Sequence, residues 1–308
     1  MSSSSGTIIR NAKLSEVSKL KTIWEHVFGN VGKDEFFKIF FDPGLCVIAE
    51  HNNAPASMGF LVPFGDIVHC DTALDNSSIP GAPTPCAMIF AVATLPECRS
   101  MGFGALVVNE LIRLAHELGY PAVVLCPSDD GLFDYYSSRS EMHDWFYIYE
   151  HFINIVDDNA MSNYKTVIDT PPLIKLTLSE YNKLREELLK DITHIRHDIR
   201  VLEYQAILNK EHGGGFYQIG NSCATIEFQS DGSVWVKELL ISQILSAQAE
   251  IMTDVNKIIS AIMDAFPAQE YVIRSPSSIG KKRRFGMLTA NNNIGSSEFE
   301  SWYGFAFD

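Results

Sequence analysis

Apolar residues recur at three- and four-residue steps from Leu14 to Phe28, at Leu14, Val17, Leu20, Ile23, Trp24 and Phe28. That period marks one face of a helix, so an amphipathic helix is predicted there. "KDEFFKIFF" predicts a second, shorter helix, ended by Asp42-Pro43-Gly44 because Pro and Gly together break helical geometry. "LCVIAEH" and "ASMGFLVPFGDIVH" read as strands that the turn "NNAP" joins into a hairpin. After a polar, Pro-rich loop at 75–85, "CAMIFAVAT" is a nearly continuous apolar run, suited to a strand covered on both faces. Residues 97–120, "ECRSMGFGALVVNELIRLAHELGY", then predict a loop running into a helix. This helix would bury Val107, Leu111, Leu114, Ala115 and Leu118 and end at Gly119. "PAVVLCP" supplies another buried strand, so residues 86–127 read as strand, loop, helix, strand, with the two strands parallel. "DGLFDYYSSR" predicts a short helix and "DWFYIYEHF" an aromatic-rich strand.

The pattern changes around "DTPPLIKLT", which places a domain boundary between 155 and 175 and divides the chain into 1–160 and 161–308. Helices are predicted at 179–190 and 197–210, then strands at "FYQIG", "CATIEFQ" and "VWVKELLIS". A helix over 251–266, the strand "EYVIRS" and the late strands "RFGMLT" and "WYGFAFD" complete the series. No residue-level repeat is evident, but the order of elements echoes the first half and suggests a tandem duplication.

A length of 308 residues favours two domains over one, and 46% hydrophobic with 20% charged residues is an ordinary globular mixture. A net charge of −14 argues against a protein that coats nucleic acid, which needs a basic face. The one basic run, Lys281-Lys282-Arg283-Arg284, reads as a solvated loop. Six cysteines without a CxxC pair suit buried, reduced thiols better than disulfides or a zinc site. "MSSSSGTIIR" lacks a basic segment followed by an apolar stretch, and no apolar run reaches membrane-span length. A cytoplasmic protein with no membrane or nucleic-acid partner is therefore expected. His194 and His197, three apart on a predicted helix, lack a third ligand and read as a solvated helix face, so no metal is expected. Gly213-Gly214-Gly215 precedes a strand, not a helix, and reads as a hinge.

Gly102 and Gly104 stand at a helix start, although glycine is unfavourable in helices by roughly 1 kcal/mol relative to alanine. The first N–H groups of a helix lack partners inside it and favour anions, so bare backbone there suits a phosphate, with Arg99 adding charge at the entry. A Rossmann fingerprint fails because Val107 occupies its third glycine position, and the Gly-Lys-Ser/Thr of a P-loop is missing. Arg99-Ser100-Met101-Gly102-Phe103-Gly104 instead resembles the coenzyme-A signature of the GNAT superfamily of N-acetyltransferases, Gln/Arg-x-x-Gly-x-Gly/Ala. The preceding "MIFAVATL", with Val92, and the following "AVVLCP" resemble that family's central strands, and the likeness spans about residues 7–152.

The resemblance implies a mixed α/β (α+β) fold of two GNAT-like domains, each a mostly antiparallel sheet with a splayed central parallel pair flanked by helices. It implies an acetyl-coenzyme-A-dependent N-acyltransferase acting on a small-molecule or peptide amine. Val92, Ala93 and Thr94 would hold the pantetheine, and Arg99, Ser100, Met101, Gly102, Phe103, Gly104 and Ala105 the diphosphate. Tyr136, or its neighbour Tyr135, would protonate the leaving thiolate, although Ser140-Glu141 replaces the family's Gly-Phe after three intervening residues. The central strand carries no carboxylate base; Asp129, Asp130, His69, Asp71 and a terminal carboxylate at Asp308 are the candidates, with Asp129 and Asp130 also suited to capping a helix. The second half lacks the Gly-x-Gly signature after its own central strand, so it is expected to shape the acceptor site or an interface. A non-catalytic coenzyme-A sensor or interaction module on the same scaffold is the alternative reading.

Overall fold

The apolar hairpin forms as β2 (Cys46–His51) and β3 (Ala54–Val68), joined by Asn52 and Asn53 at φ 51° and 61°. Two successive left-handed residues match the twist of paired strands, and asparagine tolerates that conformation better than most side chains. The computed structural model describes residues 7–70, 82–156, 164, 170–242, 248–291 and 301–307. A strand too short to show alternation, β1 (Ile8–Asn11), pairs with β2. The helix α1 (Val17–Phe28) buries Leu20, Ile23 and Trp24 after a 3-10 turn over Leu14–Glu16, and α2 (Lys33–Phe40) buries Phe36, Phe37 and Phe40.

The expected parallel unit follows as β4 (Thr84–Thr94), α3 (Phe103–Glu117) and β5 (Ala122–Leu125). The buried face of α3 is Phe103, Val107, Val108, Leu111, Ile112 and Ala115. Leu118, expected in the core, is 51% exposed, because the helix ends at Glu117 and Leu118 is already its C-cap. Close seating of α3 on the sheet depends on Gly59, where a Cβ would come within 2.8 Å of both Val107 and Leu111. Then come α4 (Asp130–Arg139) and β6 (His143–Asn154).

The second half runs β7 (Leu173–Leu176), α5 (Leu178–Leu189), β8 (Thr193–His197), α6 (Ile199–Glu211) and β9 (Gly215–Ile219). It continues with β10 (Ser222–Phe228), β11 (Val234–Leu240), α7 (Gln248–Ala265), β12 (Glu270–Ser275), β13 (Lys281–Ala290) and β14 (Ser301–Trp302). Two expectations are corrected. Lys281–Arg284 is the start of β13, paired with β6, because Tyr147 and Tyr149 on β6 offer rings that the Lys282 ammonium covers at 5.2 and 6.0 Å. His194 and His197 lie on a buried strand, not on a solvated helix, since β8 pairs with β3 on one side and β14 on the other. Among the described residues no cluster of side chains could hold a metal.

His197 is held neutral: burial, followed by the Arg185 cation, pushes its pKa well below the ordinary value, and its Nε2 accepts the Phe305 N–H at 3.3 Å. A histidine whose pKa is depressed by folding contributes stability above its unfolded value of about 6.5 and loses it as pH falls toward the folded value. We expect the native state to lose up to about 1.4 kcal/mol per pH unit below about pH 6.5 through this one residue. Denaturant midpoints from pH 7.5 to 5 should fall less steeply in His197→Gln; equal slopes would contradict the assignment.

Fourteen strands form one sheet among the described residues, and it passes through both halves of the chain. β13 of the second half lies between β5 and β6, while β6 of the first half lies between β13 and β12. Each parallel pair is thus flanked by a strand from the other half. One apolar cluster also joins the halves: the Tyr204 ring of α6 stands 5.8 Å from Phe36 and 4.8 Å from Phe307. The tail after β14 is buried at Tyr303, Phe305 and Ala306. The division at 160/161 falls in residues outside those described.

Candidate functional site

β4 pairs with β5 only from Cys86 to Ile89, against Ala122 to Leu125, yet it continues to Thr94. The break has a local cause. Ala91 sits at φ 50° and the register against β3 slips between Met58 and Phe60, so β4 carries a bulge that turns it away from β5. Beyond Ile89 the side of β4 that faced β5 has no strand partner among the described residues. Val92 reaches the opening, whereas Ala93 is buried and its carbonyl accepts the Ser57 hydroxyl at 2.8 Å. The Thr94 hydroxyl lies 2.9 Å from Ser57, which fixes this end of the strand to β3.

The chain then turns through Ser100 at φ 64° and Gly102 at φ 80° into α3. Gly102 is the N-cap, no side chain caps the helix, and no acidic residue lies in its first turn. The N–H groups of Phe103 and Gly104 meet no acceptor among the described residues, while Ala105 N–H donates to the Tyr135 hydroxyl at 3.2 Å. Phe103, 3% exposed, anchors the helix start from below. Arg99, Ser100 and Met101 are exposed, and Arg99 has no ion pair among the described residues. The Arg139 guanidinium covers the Tyr135 ring at 5.1 Å, bringing a second cation to the same corner. Sequence reading missed Arg139; its i,i+4 spacing from Tyr135 on α4 was the available signal.

The opening between β4 and β5 leads into a cleft of about 1090 Å³ between the halves. Met88–Val92, Leu125–Ser128 and Tyr136 form its first-half wall; Trp235, Lys237, Arg274 and Phe285 belong to the facing wall. Tyr136 is 6% exposed, its hydroxyl makes no hydrogen bond among the described residues, and burial raises its pKa well above the ordinary tyrosine value. Tyr135 does not line the cleft but stands at the start of α3.

The candidate bases lie elsewhere. Asp129 caps α4 by accepting Leu132 N–H at 3.0 Å, and Asp130 pairs with Arg284 at 3.2 Å. His69 faces Thr84 at 3.4 Å, and Asp71 and Asp308 lie outside the described residues. The carboxylates lining the cleft are Glu211 and Glu227, both from the second half. Gln205 donates to Glu227 at 2.7 Å and His212 stands 3.3 Å from it.

Residues 17–136 match the family model described as Acetyltransferase (GNAT) family. That stretch of the first half is therefore similar in sequence to GNAT-family acetyltransferases. Among solved structures, a GCN5-related N-acetyltransferase from Anabaena variabilis superposes with TM-score 0.66 at 14% identity, over 93% of this chain and 73% of that one. One from Kribbella flavida gives 0.62 at 13%, over 93% and 71%. A tandem GNAT protein from the clavulanic acid biosynthesis pathway gives 0.53 at 10%, over 93% of this chain and 98% of its own. At these identities the likeness is one of fold, and it includes the second half. No curated protein sequence matches the chain.

Proposed function

We propose that this protein transfers an acetyl group from acetyl-coenzyme A to an amine by direct attack on the thioester. The observation that carries the reading is the splay after Ile89: β4 leads on from it to the uncapped start of α3, and Val92 and Tyr136 both line the cleft it opens into. Backbone from Val92 to Thr94 would hold the pantetheine by the amide groups that β5 leaves uncovered. The diphosphate would take the N–H groups of Phe103 and Gly104, with Arg99 and Arg139 neutralising its charge. Tyr135, on the Ala105 N–H, would turn aside or donate its own hydroxyl to a phosphate oxygen.

Attack by a neutral amine gives a tetrahedral intermediate, and its collapse expels a thiolate. Tyr136 can hand a proton to that sulfur because a phenol is protonated at neutral pH, and burial only strengthens its hold on the proton. Six free cysteines suit a reducing compartment, which supports a cytoplasmic location. Among the described residues no helix is long and apolar enough to cross a membrane.

Thiol release from acetyl-coenzyme A with a panel of amines tests the proposal. Amine-dependent release supports it, whereas binding without turnover, unchanged by Tyr136→Phe, would make the protein a coenzyme-A sensor. We also expect Arg99→Ala and Arg139→Ala each to weaken acetyl-coenzyme A binding by about tenfold, as loss of one charge-assisted contact should. Calorimetry on both variants checks this, and unchanged affinity in both would remove the cations from the site.

A further inference from the structure

The aromatic lining of the cleft bears on the acceptor, given the acyltransferase reading above. Phe90 is the first residue of β4 beyond its pairing with β5, and it lines the cleft. Its ring stands 5.9 Å from Trp24 on α1 and 5.3 Å from Phe307 in the tail after β14. Phe307 in turn packs 4.8 Å from the Tyr204 ring of α6, so four rings meet beside the splay and all four line the cleft. The Tyr204 hydroxyl donates to the Gly32 carbonyl at 3.1 Å, so the ring is what Tyr204 contributes to the wall. Phe307 sits at φ 62°, a left-handed conformation that is costly for an aromatic residue and persists only where the surroundings hold it. The rings of Phe40, Phe64, Phe90 and Tyr204 do so. Backbone strain of this kind collects at ligand sites. Phe28 and Val31, 45% and 54% exposed, carry the apolar lining out to solvent.

The charged side chains of the cleft are already engaged. Lys237 and His212 pair with Glu227 at 3.7 and 3.3 Å, and Arg274 and Arg283 with Glu150 at 3.3 and 2.7 Å. Arg284 pairs with Asp130, Asp134 and Asp144. Glu211 is exposed, and an exposed carboxylate holds an ion only weakly. A second charge on the acceptor would leave water for rings and for ion pairs already formed, which is costly in either sign. The reacting amine differs, because it must be neutral to attack. Apolar surroundings disfavour an ammonium and lower an amine's pKa. The rings would thus supply a drive toward the free base where β4 carries no carboxylate to take the proton.

We infer that the acceptor is a monoamine on an uncharged apolar body, an alkylamine or arylalkylamine, whose body packs among Trp24, Phe28, Phe90, Tyr204 and Phe307. The amine end then lies toward the thioester and Tyr136. Tyr204 is the second half's share of this pocket, and Phe307 the share of the tail.

Straight-chain alkylamines test this with acetyl-coenzyme A as donor, because their amine pKa hardly changes with chain length. We expect kcat/KM to rise by about fourfold per methylene from ethylamine to hexylamine, as burial of each methylene implies. The aromatic member, 2-phenylethylamine, should exceed ethylamine by about 10- to 100-fold after allowance for its lower amine pKa. 1,6-Diaminohexane and 6-aminohexanoate put a second charge of either sign on the hexyl chain, and each should fall to the level of ethylamine or below. Phe307→Ala should flatten the dependence on chain length by raising KM for hexylamine, with acetyl-coenzyme A affinity unchanged as the check on folding. Phe28→Asp alters a half-exposed position and should narrow the ratio of hexylamine to diaminohexane by about fivefold, the worth of a rim charge. A rate that does not grow with chain length, or a charged analogue acetylated as well as hexylamine, would overturn the inference and leave the acyltransferase reading standing. Acetylation of none of these amines would overturn both.

Discussion

Gly102→Glu should abolish acetyl-coenzyme A binding while the protein stays folded. Gly102 is the N-cap of α3 at φ 80°, where a non-glycine residue is strained by about 1–2 kcal/mol. A Cβ built there meets nothing within 4 Å, so the substitution introduces no clash in the free protein. What it introduces is a carboxylate beside the unpartnered N–H groups of Phe103 and Gly104, where it can cap the helix itself. The new side chain would occupy and repel the position proposed for the diphosphate. Affinity should fall by on the order of 100-fold or more, since charge-assisted contacts are lost and repulsion replaces them. Gly102→Ala isolates the backbone strain and should weaken binding by less than about tenfold. Calorimetric titration of both variants decides the matter; a Glu variant that binds like the wild type would remove the helix start from the cofactor site.

Tyr136→Phe should lower kcat by about 100- to 1000-fold, within the usual contribution of a positioned acid, and leave acetyl-coenzyme A affinity unchanged. The pH dependence follows from the direction of the shift. Burial raises the Tyr136 pKa, and the Tyr135 and Asp129 charges add to it, so the phenol remains protonated past its ordinary value of about 10. The wild-type rate should therefore show no alkaline fall from this tyrosine below about pH 10. Its rise with pH should come from deprotonation of the amine and persist in the variant. Steady-state kinetics from pH 6 to 10 check both points; a variant with wild-type kcat would show that the acid lies elsewhere.

Much of the first half was legible because its signals are local. The apolar runs and turn of residues 46–68, the apolar run of β4 and the capping glycines around α3 each follow from neighbours a few positions apart. The Asp129 cap was readable for the same reason. What the sequence could not show depends on partners far along the chain. β8 resembles the start of a helix, and its histidines a solvated face, because the strands that bury it come from residues 65–68 and 301–302. The basic run of β13 looks like a surface loop until β6 supplies aromatic rings beneath it. Likewise Arg139 gains meaning only when Tyr135 docks on Ala105, 30 residues earlier. The cleft itself is a product of the shared sheet, so the rings of Phe90, Tyr204 and Phe307 that meet there share no recognisable motif.

A crystal structure with coenzyme A bound tests the central claim most directly. The diphosphate should lie within hydrogen-bonding distance of the Phe103 and Gly104 N–H groups, the pantetheine should run between β4 and β5, and the thiol should face Tyr136. Coenzyme A bound instead between β11 and β12, or at the start of α7, would contradict the account.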